Sequence, residues 1–241
     1  MTRFDRRRVR GIVAKELREF RRNRSLTLGM SIVPLIFSVQ PLIQVFTLDP
    51  AAAVPLRHEH VLLYMLGIPA LVPSFVAAYS IVGEREQGTL EPVLTTPVRR
   101  EELLLGKALA APLPAIVVAY GVFALFVACV ELFAARPVAE ALIRPSDVLA
   151  QLVFTPLLAG WSIWVAMLIS ARAGDVRVAQ QLATVASLPS VAVTTLIAVN
   201  VISASRTTAV LAATALVLLN AIGLRAASAA FDRERLVTGA T

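Results

Sequence analysis

The sequence holds one cysteine, two histidines and sixteen acidic side chains in 241 residues. The single cysteine, Cys129, sits in an apolar run, which excludes a disulfide within the chain and a thiolate metal site. Charged residues make up 16% of the chain and hydrophobic ones 57%, whereas soluble domains carry about 25% and roughly 45–50%. That shortage of charge excludes a disordered chain and an ordinary soluble enzyme, and leaves a polytopic membrane protein. A G-x-x-x-x-G-K-[ST] phosphate loop is also missing. The one Gly-Lys pair, Gly106–Lys107, is followed by Ala108, so any ATP used with this protein is bound by another chain. His58 and His60 flank Glu59; one such pair is a weak metal motif, and the expectation is a solvated loop with no metal. Neither histidine lies at membrane depth, which removes an intramembrane Ser/His hydrolase.

Six stretches contain no Asp, Glu, Lys, Arg or His: 26–46, 61–83, 108–130, 148–170, 182–201 and 207–224. About 20 helical residues cross a hydrocarbon core of about 30 Å, so each is long enough or nearly so. The alternating segments of a membrane β-barrel do not occur. The fold class expected is an all-α membrane protein with six transmembrane helices. The first stretch is longer than a signal-peptide core and is read as a retained span. Lys and Arg number 19 in the N-terminal segment, 84–107, 171–181 and 225–241, against 4 in 47–60, 131–147 and 202–206. This places both termini and the first set of loops in the cytoplasm.

Three cytoplasmic segments have pattern of their own. Residues 1–25 carry ten basic side chains and three acidic ones. Within them Val9, Ile12, Val13, Leu17 and Phe20 form one helical stripe. A basic arm for RNA is one reading; because the segment abuts an apolar span, an amphipathic interfacial helix lying on anionic lipid is the better one. Residues 84–107 form the longest loop between spans. Glu84, Glu86, Gly88, Thr89, Leu90 and Glu91 begin a short polar helix with an apolar side at Leu90, Val93 and Leu94. Thr96 and Pro97 read as an N-cap and N1 proline of the helix leading into the third span. Five acids among four bases in this loop point to a protein partner rather than to lipid alone. The tail 225–241 reads as a solvated end.

These residues carry a family resemblance. The run EREQGTLEPVLTTPV followed by EELLLGK resembles the stretch after the second span of ABC-2 type transporter permeases, the membrane subunits of one class of ATP-binding-cassette exporters. AKELREFRRNRSL, SARAGDVRVAQQLATVASLP and FDRERL agree with it, so the likeness covers nearly the whole chain, with ERE-x-GTLE-x-x-x-TPV as its specific part. The resemblance implies one transmembrane domain over 1–241 and a connecting helix over 1–25. It also implies a coupling helix within 84–95 that docks on an ATPase subunit through Glu84, Arg85, Glu86, Gly88, Thr89, Leu90 and Glu91. It further implies two copies of an ATP-binding subunit, which bind the ATP and Mg, and a second permease subunit, identical or paralogous. This chain itself is then no enzyme, holds no cofactor and binds no nucleic acid, and it sits in a bacterial or archaeal cell membrane. Many members carry a re-entrant hairpin between the last two spans; here that connection is only 202–206, unless part of 188–206 dips back.

The spans contain no charge, which disfavours an ion-coupled transporter and favours an apolar or amphiphilic substrate. Gln40 and Gln44, one turn apart around Pro41, with Tyr79, Asn200 and Asn220, are candidates to line a pathway, the glutamine pair foremost; for any single one, interhelical glue is the favoured reading. Eight of the fourteen prolines fall in spans, where neighbouring helices tolerate them as kinks. Ala124, Ala128, Ala159, Gly160 and Ala166 allow close helix approach. Export of an ion or metal by the same architecture, or a non-transporting scaffold that recruits an ATPase, are the alternative functions.

Overall fold

A computed structural model describes residues 5–22, 24–47, 60–86, 100–170 and 172–237. Among them there are nine α-helices and no strand. They are α1 (Arg6–Arg22), α2 (Arg24–Thr47), α3 (Gly67–Glu86), α4 (Arg100–Ala110), α5 (Pro112–Phe133), α6 (Arg136–Leu142), α7 (Pro145–Ser170), α8 (Val176–Ala198) and α9 (Arg206–Val237). A 3₁₀ turn, Val61–Leu66, leads directly into α3.

Four stretches among the described residues are apolar and long enough to cross a bilayer: Leu105–Phe133, Pro145–Ser170, Val176–Ala198 and Arg206–Ala227. These cover the expected spans at 108–130, 148–170 and 207–224, and that at 182–201 up to Ala198, where the helix ends. The expected spans at 26–46 and 61–83 fall on α2 and on the 3₁₀ turn with α3. The break between α4 and α5 follows from chemistry rather than from a turn. Pro112 has no N–H to donate back to Ala108, so one rung of the ladder is missing. Ala111 nevertheless keeps helical angles (φ −61°, ψ −40°), and its N–H donates to the Lys107 carbonyl at 3.0 Å. The rod therefore runs on through the proline.

α7 is the centre of the bundle and packs against α3, α5, α8 and α9. α3 also packs on α8 and α2. Close approach is set by missing side chains. At Gly67 an added Cβ would collide with the Phe37 ring, which fixes α2 against α3, and at Gly223 it would lie 2.6 Å from Trp164 Cβ.

The ends of the elements sort into two sets. The His60 N–H donates to the Ala198 carbonyl at 2.9 Å, and His60 Nδ1 lies 2.8 Å from Asp147 Oδ1. The starts of the 3₁₀ turn and of α7 therefore meet the end of α8 at one end of the bundle. There α6, which was not expected in the loop 131–147, buries Val138, Ala139, Ala141 and Leu142. At the other end α1 packs on α4.

α8 begins with an Asp175 cap whose carboxylate accepts from the Arg177 N–H at 2.6 Å. It runs without interruption through Pro189 to Ala198. Its end is closed by Asn200 in the left-handed region, φ 58°. The N–H of Val201 donates to the Leu196 carbonyl (2.9 Å) and that of Asn200 to the Ile197 carbonyl (3.0 Å), the paired bonds of a Schellman cap. Residues 199–205 are non-helical, so no helical hairpin lies between α8 and α9. α9 carries its helix past the expected span end at 224, through the tail to Val237.

Candidate functional site

The first cluster of charge is the contact of α1 with α4. The apolar stripe foreseen on α1 is real, but protein covers it: Val9 and Phe20 are buried, and Val13 and Leu17 join the core. Ile12 sits over Gly106, where an added Cβ would be 2.6 Å from Ile12 Cγ2. The stripe also contains a residue that the sequence pattern puts on the polar side. Glu16 is buried and pairs with buried Lys107 at 3.1 Å. At the start of α4, five residues before Lys107, fully buried Glu102 accepts the Asp5 N–H at 2.7 Å and lies 3.6 Å from Arg8 Nη1. Two carboxylates and a lysine removed from solvent hold the relative position of the two helices, because losing either partner would strand a buried charge. α4 begins at Arg100, directly after residues 87–99. The N-terminal helix is thus bolted to the element that issues from the loop carrying the specific family motif.

That motif itself lies mostly outside the described residues. Glu84, Arg85 and Glu86 are the last three positions of α3. Gly88, Thr89, Leu90 and Glu91, with the apolar side at Val93 and Leu94 and the cap at Thr96 and Pro97, are not among those described.

The second cluster is buried in the bundle. Asp147, Gln151 and Thr155 occupy successive turns on one face of α7 and are 3%, 0% and 0% exposed. Asp147 Oδ1 is held by His60 Nδ1 at 2.8 Å and receives the Ser146 hydroxyl at 3.1 Å. Asp147 Oδ2, both polar ends of the Gln151 amide and the Thr155 hydroxyl have no hydrogen-bond partner among the described residues. An unsatisfied buried polar group costs about 1–3 kcal/mol, so four such atoms in one column are an expensive arrangement for packing alone. Further along α7, Ser162 faces Ser187 of α8 at 3.5 Å. Hydropathy did not mark this column, since glutamine, threonine and one terminal aspartate barely perturb an apolar run. The periodicity of 147, 151 and 155 could have done so.

Of the pathway candidates, Asn220 is engaged as glue. Its Nδ2 donates to the carbonyls of Leu157 (3.0 Å) and Leu216 (2.8 Å), and its Oδ1 accepts the Trp164 indole N–H at 3.1 Å. Gly160 leaves the room for it: a Cβ there would collide with Asn220 Oδ1. Asn200 is exposed and serves the α8 cap. Gln40 and Gln44 lie in α2 and Tyr79 in α3; their side chains are not among those described. His58 and Glu59 also fall outside the described residues, whereas His60, expected in a solvated loop, is paired with Asp147 and largely buried. A groove of about 420 Å³ runs along the start of α8, lined by Arg177, Gln180, Gln181, Thr184 and Val185.

Membrane-length apolar helices, a basic N-terminal helix locked to the bundle by ion pairs and a polar column inside it define a multi-span membrane protein. The chain belongs to the ABC-2 family of transporters: a family model described as ABC-2 family transporter protein matches residues 10–232, from within α1 to within α9. No curated protein matches the chain. Proteins of this family are the transmembrane, non-catalytic component of an ABC transporter and work with an ATP-binding partner.

Proposed function

We propose that this chain is the permease subunit of an ATP-binding-cassette exporter. It crosses the cell membrane of a bacterium or archaeon six times with both termini in the cytoplasm. Two permeases, identical or paralogous, enclose one pathway, and two ATPase subunits beneath them bind the ATP and Mg. Membership of the ABC-2 family supports this reading. The orientation is supported by the Lys and Arg distribution and by the clustering of His60, Asp147 and Ala198, all from segment ends expected outside. The groove at the start of α8 carries polar side chains on a face that one chain leaves uncovered, which suits contact with the second permease or the pathway between the two.

The observation that carries the mechanism is the buried Glu16–Lys107 pair. Closure of the ATPase dimer pushes on 84–95, and a segment in that position moves spans two and three only if its roots are stiff. α1, anchored through Glu16 and through Glu102 with Asp5 and Arg8, supplies that stiffness at the α4 root. The absence of charge from the middle of each span favours an apolar or amphiphilic substrate, a drug-like molecule or lipid.

The test is ATP hydrolysis by the reconstituted complex. Glu84→Lys and Glu91→Lys abolish the stimulation of ATPase activity by substrate while the subunit remains folded and inserted. Stimulation unchanged in both variants would overturn the docking role of 84–95. Failure of the complex to move any lipid or dye with ATP would favour a scaffold.

A further inference from the structure

We propose that the Asp147–Gln151–Thr155 face of α7 is a hydrated, cation-accepting pocket that opens at the His60 end of the bundle. The pathway reading above does not require it, and only the statement of which membrane face it opens on rests on that reading. Three observations carry it. First, the column contains three oxygens able to accept, Asp147 Oδ2, Gln151 Oε1 and Thr155 Oγ1, beside one donor, Gln151 Nε2, and none of the four has a partner among the described residues. Second, the side chains are already 0–3% exposed in a single chain, so neither lipid nor a second permease subunit can reach in to satisfy them. A site that is polar and enclosed is where ordered water or a small polar ligand resides. Third, the fixed charge buried in the column is negative. Asp147 carries the column's carboxylate, and Lys107, the one lysine or arginine among the buried side chains described, pairs with Glu16 at the α1 end. Arg144 stands at the rim, where its Nε donates to the Ala141 carbonyl at 3.2 Å.

His60 forms the lid. Its ring is partly exposed and lies against Asp147 Oδ1, with its backbone tied to Ala198. The ligand chemistry that fits is a small cation with oxygen ligands, either an ammonium group presenting N–H donors or an alkali ion with its water. Carboxylate, amide and hydroxyl oxygens at successive turns suit both.

The test uses thiol access in proteoliposomes of the full-length protein, with Cys129→Ala as background and Thr155→Cys or Gln151→Cys as reporter. Ala159→Cys, one turn deeper and fully buried, is the dry control. The probes are the cationic 2-aminoethyl and the anionic 2-sulfonatoethyl methanethiosulfonates, added to one face at a time with a thiol scavenger on the other. The pocket predicts that either reporter reacts at least 10-fold faster than the control. The cationic reagent should be favoured over the anionic one at least 10-fold beyond their ratio on a free thiol, and Asp147→Asn should remove that preference. His60→Ala should speed the reaction. Slowing by methylammonium but not by sodium assigns the ammonium source, and slowing by sodium alone assigns the alkali ion. Reporters no faster than the control, or a charge ratio equal to that of a free thiol, would overturn the proposal. Reaction from the cytoplasmic face alone would uphold the pocket and reverse the orientation proposed above.

Discussion

Glu16 and Lys107, 91 residues apart in sequence, form a 3.1 Å ion pair in which both side chains are almost sealed from solvent. Such a pair has asymmetric energetics. Removing one member takes the nearest opposite charge from a buried group, at a cost of up to about 3–5 kcal/mol, eased for Glu16 by the half-exposed Lys15 ammonium at 3.8 Å, whereas replacing both by apolar residues of similar size is often neutral. Lys107→Met and Glu16→Met should therefore each lower the thermal midpoint of the purified subunit strongly, and the double variant should recover most of the loss. A double-mutant cycle read by thermal unfolding in detergent checks this; purely additive losses would show that the pair does not join the helices.

Gly106 under Ile12 makes a steric counterpart. Gly106→Val puts a branched side chain where a Cβ alone would lie 2.6 Å from Ile12 Cγ2. Overpacking of this kind costs typically about 1–3 kcal/mol. Because the clash lies between α1 and α4, the variant should loosen α1 selectively. Faster proteolysis within residues 6–22 at an unchanged rate elsewhere is the expected outcome, and Ile12→Ala should relieve it in part.

The same contact shows how far the sequence was legible. The charge-free runs located the four membrane-length helices found among the described residues because the cost of charge in hydrocarbon acts residue by residue and leaves a local mark. The stripe Val9, Ile12, Val13, Leu17 and Phe20 was visible for the same reason, but what covers it was not. A stripe facing lipid and a stripe facing α4 have one pattern, and only the partner distinguishes them. Glu16 was hidden because its burial depends on Lys107, a relation with no local mark. α6 was not visible within 131–147, since seven residues with four buried ones lie below the length at which periodicity is readable. Gln151 and Thr155 escaped notice because they carry no charge.

Asn220 can be tested as glue by the fit of Gly160 beside it. Gly160→Ala drives a Cβ into Asn220 Oδ1 and should destabilise the α7–α9 contact. Asn220→Ala gives up three hydrogen bonds, each worth on the order of 0.6–2 kcal/mol in a membrane protein. Combining the two should cost less than their sum, because the alanine at 220 vacates the space that the methyl group needs. Thermal unfolding of the four variants gives the coupling. Strict additivity would mean that Asn220 does not sit where Gly160 makes room for it.

Asn200 separates a pathway role from a capping role. Its φ of 58° is a conformation that glycine adopts freely and β-branched residues avoid. A residue there that only closes α8 should accept Asn200→Gly with stability within about 0.5 kcal/mol. Asn200→Val should cost on the order of 1–2 kcal/mol through backbone strain. Transport by the reconstituted complex, measured at a temperature where both variants remain folded, should be the same as that of the unaltered protein. If Asn200→Gly left the thermal midpoint in place but reduced transport several-fold, the amide would be acting on the transported molecule, because the glycine keeps the cap and removes only the side chain.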